Sequence, residues 1–176
     1  MVKRRLSAAT IAAQAGGYID QASGGVVPPI QPSTTFVRDR AYVPHASGNI
    51  YARDDSDTVR VAENILAQLD AAQVALLFPN GMAAIAAVFR ALPTGATVLL
   101  QAQIYWGTTK WVREFCSRRG MVLVEADLSK PENMDKLCAS HEPDLVFIET
   151  PSNPWLRSTD IAHAANKVHD VGGRLV

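Results

Sequence analysis

The sequence predicts an α/β protein: a mainly parallel sheet with helices on both faces. Three observations carry this. From Asp57 onward, short apolar runs alternate with longer helical stretches, the repeat expected of βαβ units. The runs are apolar throughout rather than alternating, as strands become when helices cover both faces. Proline and glycine mark the junctions between them.

The elements follow in order. Before Asp57, residues Gly16, Gly17, Gly24, Gly25, Pro28, Pro29, Pro32 and Pro44 break every period. That segment predicts an extended arm lying on another surface, with a helical stretch around Ala8 to Ala15. Ala62, Ile65, Leu66 and Leu69 then fall at helical spacing, with Asp57 or Thr58 available as N-cap. Val74 to Phe78 is expected as a buried strand closed by Pro79-Asn80-Gly81. A helix over Met82 to Leu92 is stopped by Pro93 and Gly95, and Ala96 to Leu100 is the next strand. Thr108 to Arg119 is helical up to Gly120, and Met121 to Glu125 is a strand. Pro131 to Ser140 is a helix with proline in its first turn. Asp144 to Glu149 is a strand, and Asp160 to Val171 a helix ended by Gly172-Gly173. Arg174 to Val176 opens a further strand, so the chain is expected to be part of a longer protein.

Composition excludes several function classes. The 17 basic and 17 acidic side chains balance, leaving no electrostatic footprint for nucleic acid or an anionic membrane. The longest apolar stretch, Met82 to Phe89, falls far short of the ~18 residues a membrane helix needs. Cys116 and Cys138 have no metal-ligand spacing and are too few for a disulfide scaffold; buried free thiols are expected. Lys3, Arg4 and Arg5 precede an alanine-rich stretch, but Ser7, Thr10 and Gln14 interrupt it, which makes a poor secretory signal. A cytoplasmic location is the expectation. No G-x-G-x-x-G follows a strand and no lysine follows a glycine-rich loop, which disfavours a nucleotide-binding module.

In open parallel sheets, ligands sit beyond the carboxyl ends of the strands. Three loops there carry candidate chemistry. Pro79-Asn80-Gly81-Met82 is a strand-to-helix turn whose backbone N–H groups and helix dipole suit a phosphate. Tyr105-Trp106-Gly107-Thr108 sets an aromatic ring at the same rim, where a planar group could stack. Glu149-Thr150-Pro151-Ser152-Asn153-Pro154 puts an amide and two hydroxyls between prolines, able to hydrogen-bond a ligand. Each loop taken alone is also what an ordinary turn looks like.

Together with Val27-Pro28-Pro29-Ile30, Pro32-Ser33-Thr34-Thr35-Phe36 and Tyr51-Ala52-Arg53, these loops give the chain a close resemblance to a known family. It resembles the cysteine/methionine-metabolism enzymes that use pyridoxal phosphate, among them cystathionine γ-synthase, the cystathionine lyases and the sulfhydrylases. The resemblance implies an aspartate-aminotransferase type of fold, with an arm over 1–56 and a cofactor-binding domain over 57–176. It implies elimination or replacement at Cβ or Cγ of a small sulfur amino acid or homoserine derivative, in a homo-oligomer that is a dimer of dimers. Gly81 and Met82 would hold the cofactor phosphate, and Tyr105 would stack on its ring and help position substrate. Asn153 would lie near the phenolic oxygen. Tyr51 and Arg53 would reach the phosphate of a neighbouring subunit's cofactor.

The chain departs from the family at Ser56-Asp57-Thr58, where Asn-Pro-Thr is usual, at Asn80, where serine is usual, and at Trp106, where a second glycine is usual. Trp106 is expected to narrow the pocket. The family's cofactor-bearing lysine has no counterpart among Lys3, Lys110, Lys130, Lys136 and Lys167, and none of the four histidines matches a catalytic position. The alternative is therefore a catalytically incomplete or assembly-only chain that keeps the fold.

Overall fold

The computed structural model describes residues 6–176, so Lys3, Arg4 and Arg5 lie outside the described residues. The chain forms two compact units, Met1–Leu77 and Phe78–Val176. The division falls after the first long helix rather than between residues 56 and 57, because that helix packs with the arm that precedes it.

In the first unit, α1 (Ala8–Ala13) is capped by the Ser7 hydroxyl and runs into a 3₁₀ turn over Ala15–Gly17. The turn cuts short the predicted helix because Gly16 adopts a left-handed conformation, φ 66°. α2 (Asp57–Leu69) takes Ser56 as its N-cap, not Asp57 or Thr58; the Ser56 hydroxyl accepts from the Val59 N–H. Thr58 serves the arm instead. Its Oγ1 accepts from the Gln31 N–H at 2.9 Å and donates to the Pro29 carbonyl at 3.3 Å. Two of the motif segments also meet, since Thr35 and Tyr51 form an antiparallel bridge and Ala52 N–H donates to Thr34 O at 2.9 Å.

The second unit holds the sheet. Its strands are β1 (Thr97–Gln101), β2 (Val122–Ala126), β3 (Leu145–Phe147) and β4 (Arg174–Leu175), all parallel, in the order β2-β1-β3-β4. α3 (Gly81–Arg90), α4 (Trp106–Arg118), α5 (Pro131–His141) and α6 (Ile161–Asp170) complete it. Alternation along β1 separates two cores. Val98 and Leu100 pack with Phe89, Val112 and Cys116 from α3 and α4. Leu99 points the other way, into Met134, Cys138, Ala164 and Val168 from α5 and α6. In β3, Leu145 and Phe147 join the first core and Val146 the second. Helices therefore cover both faces, as the uninterrupted apolar runs require. Each fully buried aliphatic side chain contributes about 1.5–3 kcal/mol.

One expected strand is absent. Val74 to Phe78 pairs with nothing among the described residues, and Val74 and Leu76 are 70% and 67% exposed. An apolar run becomes a strand only where a neighbour supplies its ladder; here the Leu77 N–H donates to Glu63 Oε1 at 2.8 Å instead. The other strands and helices stand within a few residues of their expected places, and Arg174–Leu175 pairs with β3. No helix among the described residues is long and apolar enough to cross a membrane.

Cys116 and Cys138 are free and buried, one in each core, and burial raises both thiol pKa values. Asp135 adds to the rise at Cys138. The α6–β4 turn depends on a close approach. A Cβ at Gly173 would overlap the Pro143 carbonyl oxygen and press on Val168. Gly173→Ala is expected to destabilise the protein by about 1–3 kcal/mol, through the backbone shift that overpacking forces. Urea denaturation checks this, and an unchanged midpoint would contradict the close-contact account.

Candidate active site at the carboxyl edge of the sheet

The winding of the sheet locates the site. From β1 the chain passes through α4 to β2 on one side, and from β3 through α6 to β4 on the other. α4 packs in one core and α6 in the opposite one. The connections leaving β1 and β3 thus diverge, and a crevice opens between the carboxyl ends of these adjacent strands. The loop holding Tyr105 follows β1, and the loop holding Asn153 follows β3.

The phosphate candidate is the start of α3. Asn80 is its N-cap: the side-chain oxygen accepts from the Ala83 N–H at 2.8 Å, and its carbonyl accepts from the Ala84 N–H at 3.2 Å. An asparagine in place of serine therefore caps equally well. Gly81 and Met82, the first two helical residues, keep N–H groups that no helix geometry can satisfy internally. Open space surrounds Gly81, with no heavy atom near a built Cβ. Donors at a helix start, next to room for an anion, fit a phosphate. Thr108, buried in the first turn of α4, donates its hydroxyl hydrogen to Met82 Sδ at 3.7 Å and so joins the two helix starts.

Tyr105 stands at the N-cap position of α4, 39% exposed, with no capping bond from its side chain. Its ring lies over Gly107, where a Cβ would come within 2.5 Å of the ring. Glycine is needed there to let the ring settle. Trp106 is 69% exposed, with its ring 5.9 Å from that of Tyr105. Lys110 lies five residues beyond Tyr105 and lines an open cleft with Arg113 and Glu125, which pair with each other at 2.6 Å.

In the third loop the hydroxyls expected to face a ligand are turned inward. Ser152 is fully buried and its Oγ accepts from the Arg157 N–H at 3.2 Å; Thr150 Oγ1 accepts from the Thr159 N–H at 3.0 Å. Asn153 remains exposed. Arg157 also pairs with Asp127 beyond β2. Hydrogen bonding from Ser129 holds the Asp127 carboxyl below its ordinary pKa; burial opposes this and Arg157 reinforces it.

Sequence inspection missed Glu149 and Gln101 as site groups. Glu149 accepts from the Asn153 N–H at 2.6 Å and from the Tyr105 N–H at 3.3 Å. Gln101 is fully buried, its Oε1 accepts from the Glu149 N–H at 3.2 Å, and its Nε2 has no partner among the described residues. The signal available was a carboxylate and an amide ending two otherwise apolar strands.

Tyr51 and Arg53 belong to the first unit and stand together there. The Arg53 guanidinium lies 4.8 Å from the Tyr51 ring centroid, and Arg53 is exposed. Beside them, Arg60 pairs with Asp55 and Asp57, while buried Asn49 donates to Asp57 Oδ2 at 2.9 Å.

Two outcomes follow. Gly107→Ala should displace the Tyr105 ring, with the urea midpoint held or slightly raised, since alanine is the better helix former by about 1 kcal/mol. Near-ultraviolet circular dichroism reads the ring and a urea titration the stability. Asp127 has a folded pKa depressed below its unfolded value of about 3.9, so its stabilisation is present above that value and lost as pH falls through the folded one. Asp127→Asn should flatten the acid limb of the stability curve while changing its slope little above pH ~5.

Residues 9–176 match the family described as Cys/Met metabolism PLP-dependent enzyme. Among curated proteins, the cystathionine gamma-lyase of Sus scrofa is 36% identical over 165 residues, 93% of this chain and 40% of that protein. That of Bos taurus is 36% identical over 150 residues, 85% of this chain and 36% of that protein. Among solved structures, cystathionine gamma synthase from Xanthomonas oryzae pv. oryzae superposes with a TM-score of 0.88 at 32% identity, over 98% of this chain and 44% of that one. The chain thus spans about two fifths of the length of the curated relatives it matches. Its parallel sheet and helices are those of the aminotransferase-like fold. The chain belongs to the pyridoxal-phosphate-dependent enzymes of cysteine and methionine metabolism.

Proposed function

We propose that the chain supplies the phosphate turn and ring wall of a pyridoxal-phosphate enzyme that eliminates or replaces a group at Cβ or Cγ of a sulfur amino acid. The reaction class is that of a cystathionine γ-synthase or lyase. The observation that carries this is the convergence of the α3 start, Tyr105 and Asn153 on one crevice, tied by the Thr108–Met82 and Glu149 bonds. When bound, the cofactor draws electron density from the substrate α-carbon, which makes its proton removable.

In this reading the Gly81 and Met82 N–H groups donate to the phosphate, aided by the α3 dipole. The Tyr105 ring lies against the cofactor ring and orients substrate. The Asn153 side-chain amide donates to the phenolic oxygen and fixes the ring's rotation. Trp106 narrows the entrance. Arg53, with its plane held by Tyr51, neutralises phosphate charge in a neighbouring subunit; a planar fork that stays charged suits that task. The apolar side chains that the first unit exposes, Val26, Val27, Ile30 and Val37, support a homo-oligomer, read here as a dimer of dimers. Two free buried thiols suit a reducing compartment, in keeping with the cytoplasm.

The test is cofactor titration followed by subunit mixing, both in the longer protein that carries the Schiff-base lysine. Arg53→Ala should weaken pyridoxal phosphate binding roughly 10- to 100-fold, the scale of a lost charge-assisted bond. A second variant, Gly81→Asp, places a carboxylate where the phosphate sits and should be inactive by itself. Mixed oligomers of the two variants should recover part of the activity on cystathionine, or on an activated homoserine ester with cysteine. Such oligomers contain sites with an intact Gly81 from one subunit and Arg53 from the other. No recovery in verified mixed oligomers would mean that Arg53 does not act across the interface.

A further inference from the structure

We propose that Glu149 is a positioning residue that holds the ring-stacking loop and the Asn153 loop in one frame across the crevice. The proposal rests on the cofactor reading above. Its two carboxylate oxygens are divided between the loops: Oε1 accepts from the Asn153 N–H at 2.6 Å, and Oε2 from the Tyr105 N–H at 3.3 Å. The first bond lies within Glu149's own loop and any turn-forming acceptor could make it. The second spans 44 residues and joins separate connections that the sheet sends in opposite directions.

The chemistry of the group fits this task. Both loops present N–H donors, and an ionised carboxylate is acceptor-only, so it serves both at once. An amide in its place would offer one acceptor and one set of donors and would lose one loop. Tyr105 has no side-chain capping bond, so the carboxylate also brings negative charge to the start of α4, where the helix dipole favours it. The Glu149 backbone is anchored in turn, its N–H donating to Oε1 of the fully buried Gln101 at 3.2 Å. Thr159 Oγ1 donates to the same Gln101 oxygen at 3.3 Å. The frame thus stands on the last residue of β1, a strand buried from Val98 to Gln101. Glu149 touches neither ring nor phosphate in this role; it acts through Tyr105 and Asn153.

The experiment uses the longer protein that carries the Schiff-base lysine and compares wild type with Glu149→Gln, Glu149→Ala and Asp127→Asn. Backbone amide exchange is measured without cofactor, and pyridoxal phosphate binding by absorbance and visible circular dichroism. Glu149→Gln should keep the shorter Asn153 bond and speed exchange at the Tyr105 amide roughly fivefold or more, with core strands unchanged. Glu149→Ala should speed both amides. Both variants should bind the cofactor about tenfold more weakly and with reduced circular dichroism, because the ring wall is no longer fixed. Asp127→Asn loosens the same loop through Arg157 and should leave the Tyr105 amide at its wild-type rate. If the alanine variant does not fold, the glutamine variant decides. Wild-type rates at Tyr105 in the glutamine variant, or wild-type cofactor affinity and dichroism in it, would overturn the proposal while leaving the cofactor reading intact. A wild-type protein that takes up no pyridoxal phosphate would instead overturn the cofactor reading, and with it the role assigned to Glu149.

Discussion

Adjacent strands β1 and β3 send their connections to opposite faces of the sheet, and the candidate site depends on that divergence. β1 is buried on both sides, with Val98 and Leu100 in one core and Leu99 in the other, so its end cannot move independently of either helix layer. A rigid floor results, open only at the carboxyl edge. Tyr105 and Asn153 stand on opposite lips of that opening, each within a few residues of a strand end. Loops so close to fixed strands inherit their precision from the sheet.

Several polar groups around the opening are satisfied by the protein itself. Asn80 caps the Ala83 N–H, Ser152 and Thr150 accept backbone N–H groups from the far side of their own loop, and Arg157 meets Asp127. The first N–H groups of α3 have no partner within the helix, and Asn153 is exposed although its neighbour Ser152 is fully buried.

In the first unit, order is built from polar contacts rather than from a large apolar core. Thr58 pins the segment at Pro29 and Gln31, the Thr35–Tyr51 bridge joins two distant stretches, and Asn49, Asp55, Asp57 and Arg60 form a linked cluster. Each residue of Ser56-Asp57-Thr58 has a structural task. Ser56 caps α2, Asp57 pairs with Arg60, and Thr58 holds the arm. Arg53 sits among these fixed groups yet is itself exposed, while Arg60 is the guanidinium engaged by carboxylates.

The sequence alone determined the fold class, because uniformly apolar runs between helical stretches have one economical arrangement: a parallel sheet covered on both faces. It also marked the rim loops, since Gly107 and the proline-flanked Asn153 follow β1 and β3, and Gly81 opens α3. It misjudged Val74 to Phe78, whose composition suits a strand but whose pairing depends on a neighbour that local pattern does not specify. It was blind to Glu149 for a related reason. A glutamate after an apolar run looks like any solvated charge, and only folding brings a donor 44 residues away to its second oxygen. Periodicity and turn chemistry are local, so they are written in the chain itself. Which carboxylate spans two loops, which hydroxyl turns inward and which run finds a ladder partner are long-range pairings, and the tertiary structure alone decided them.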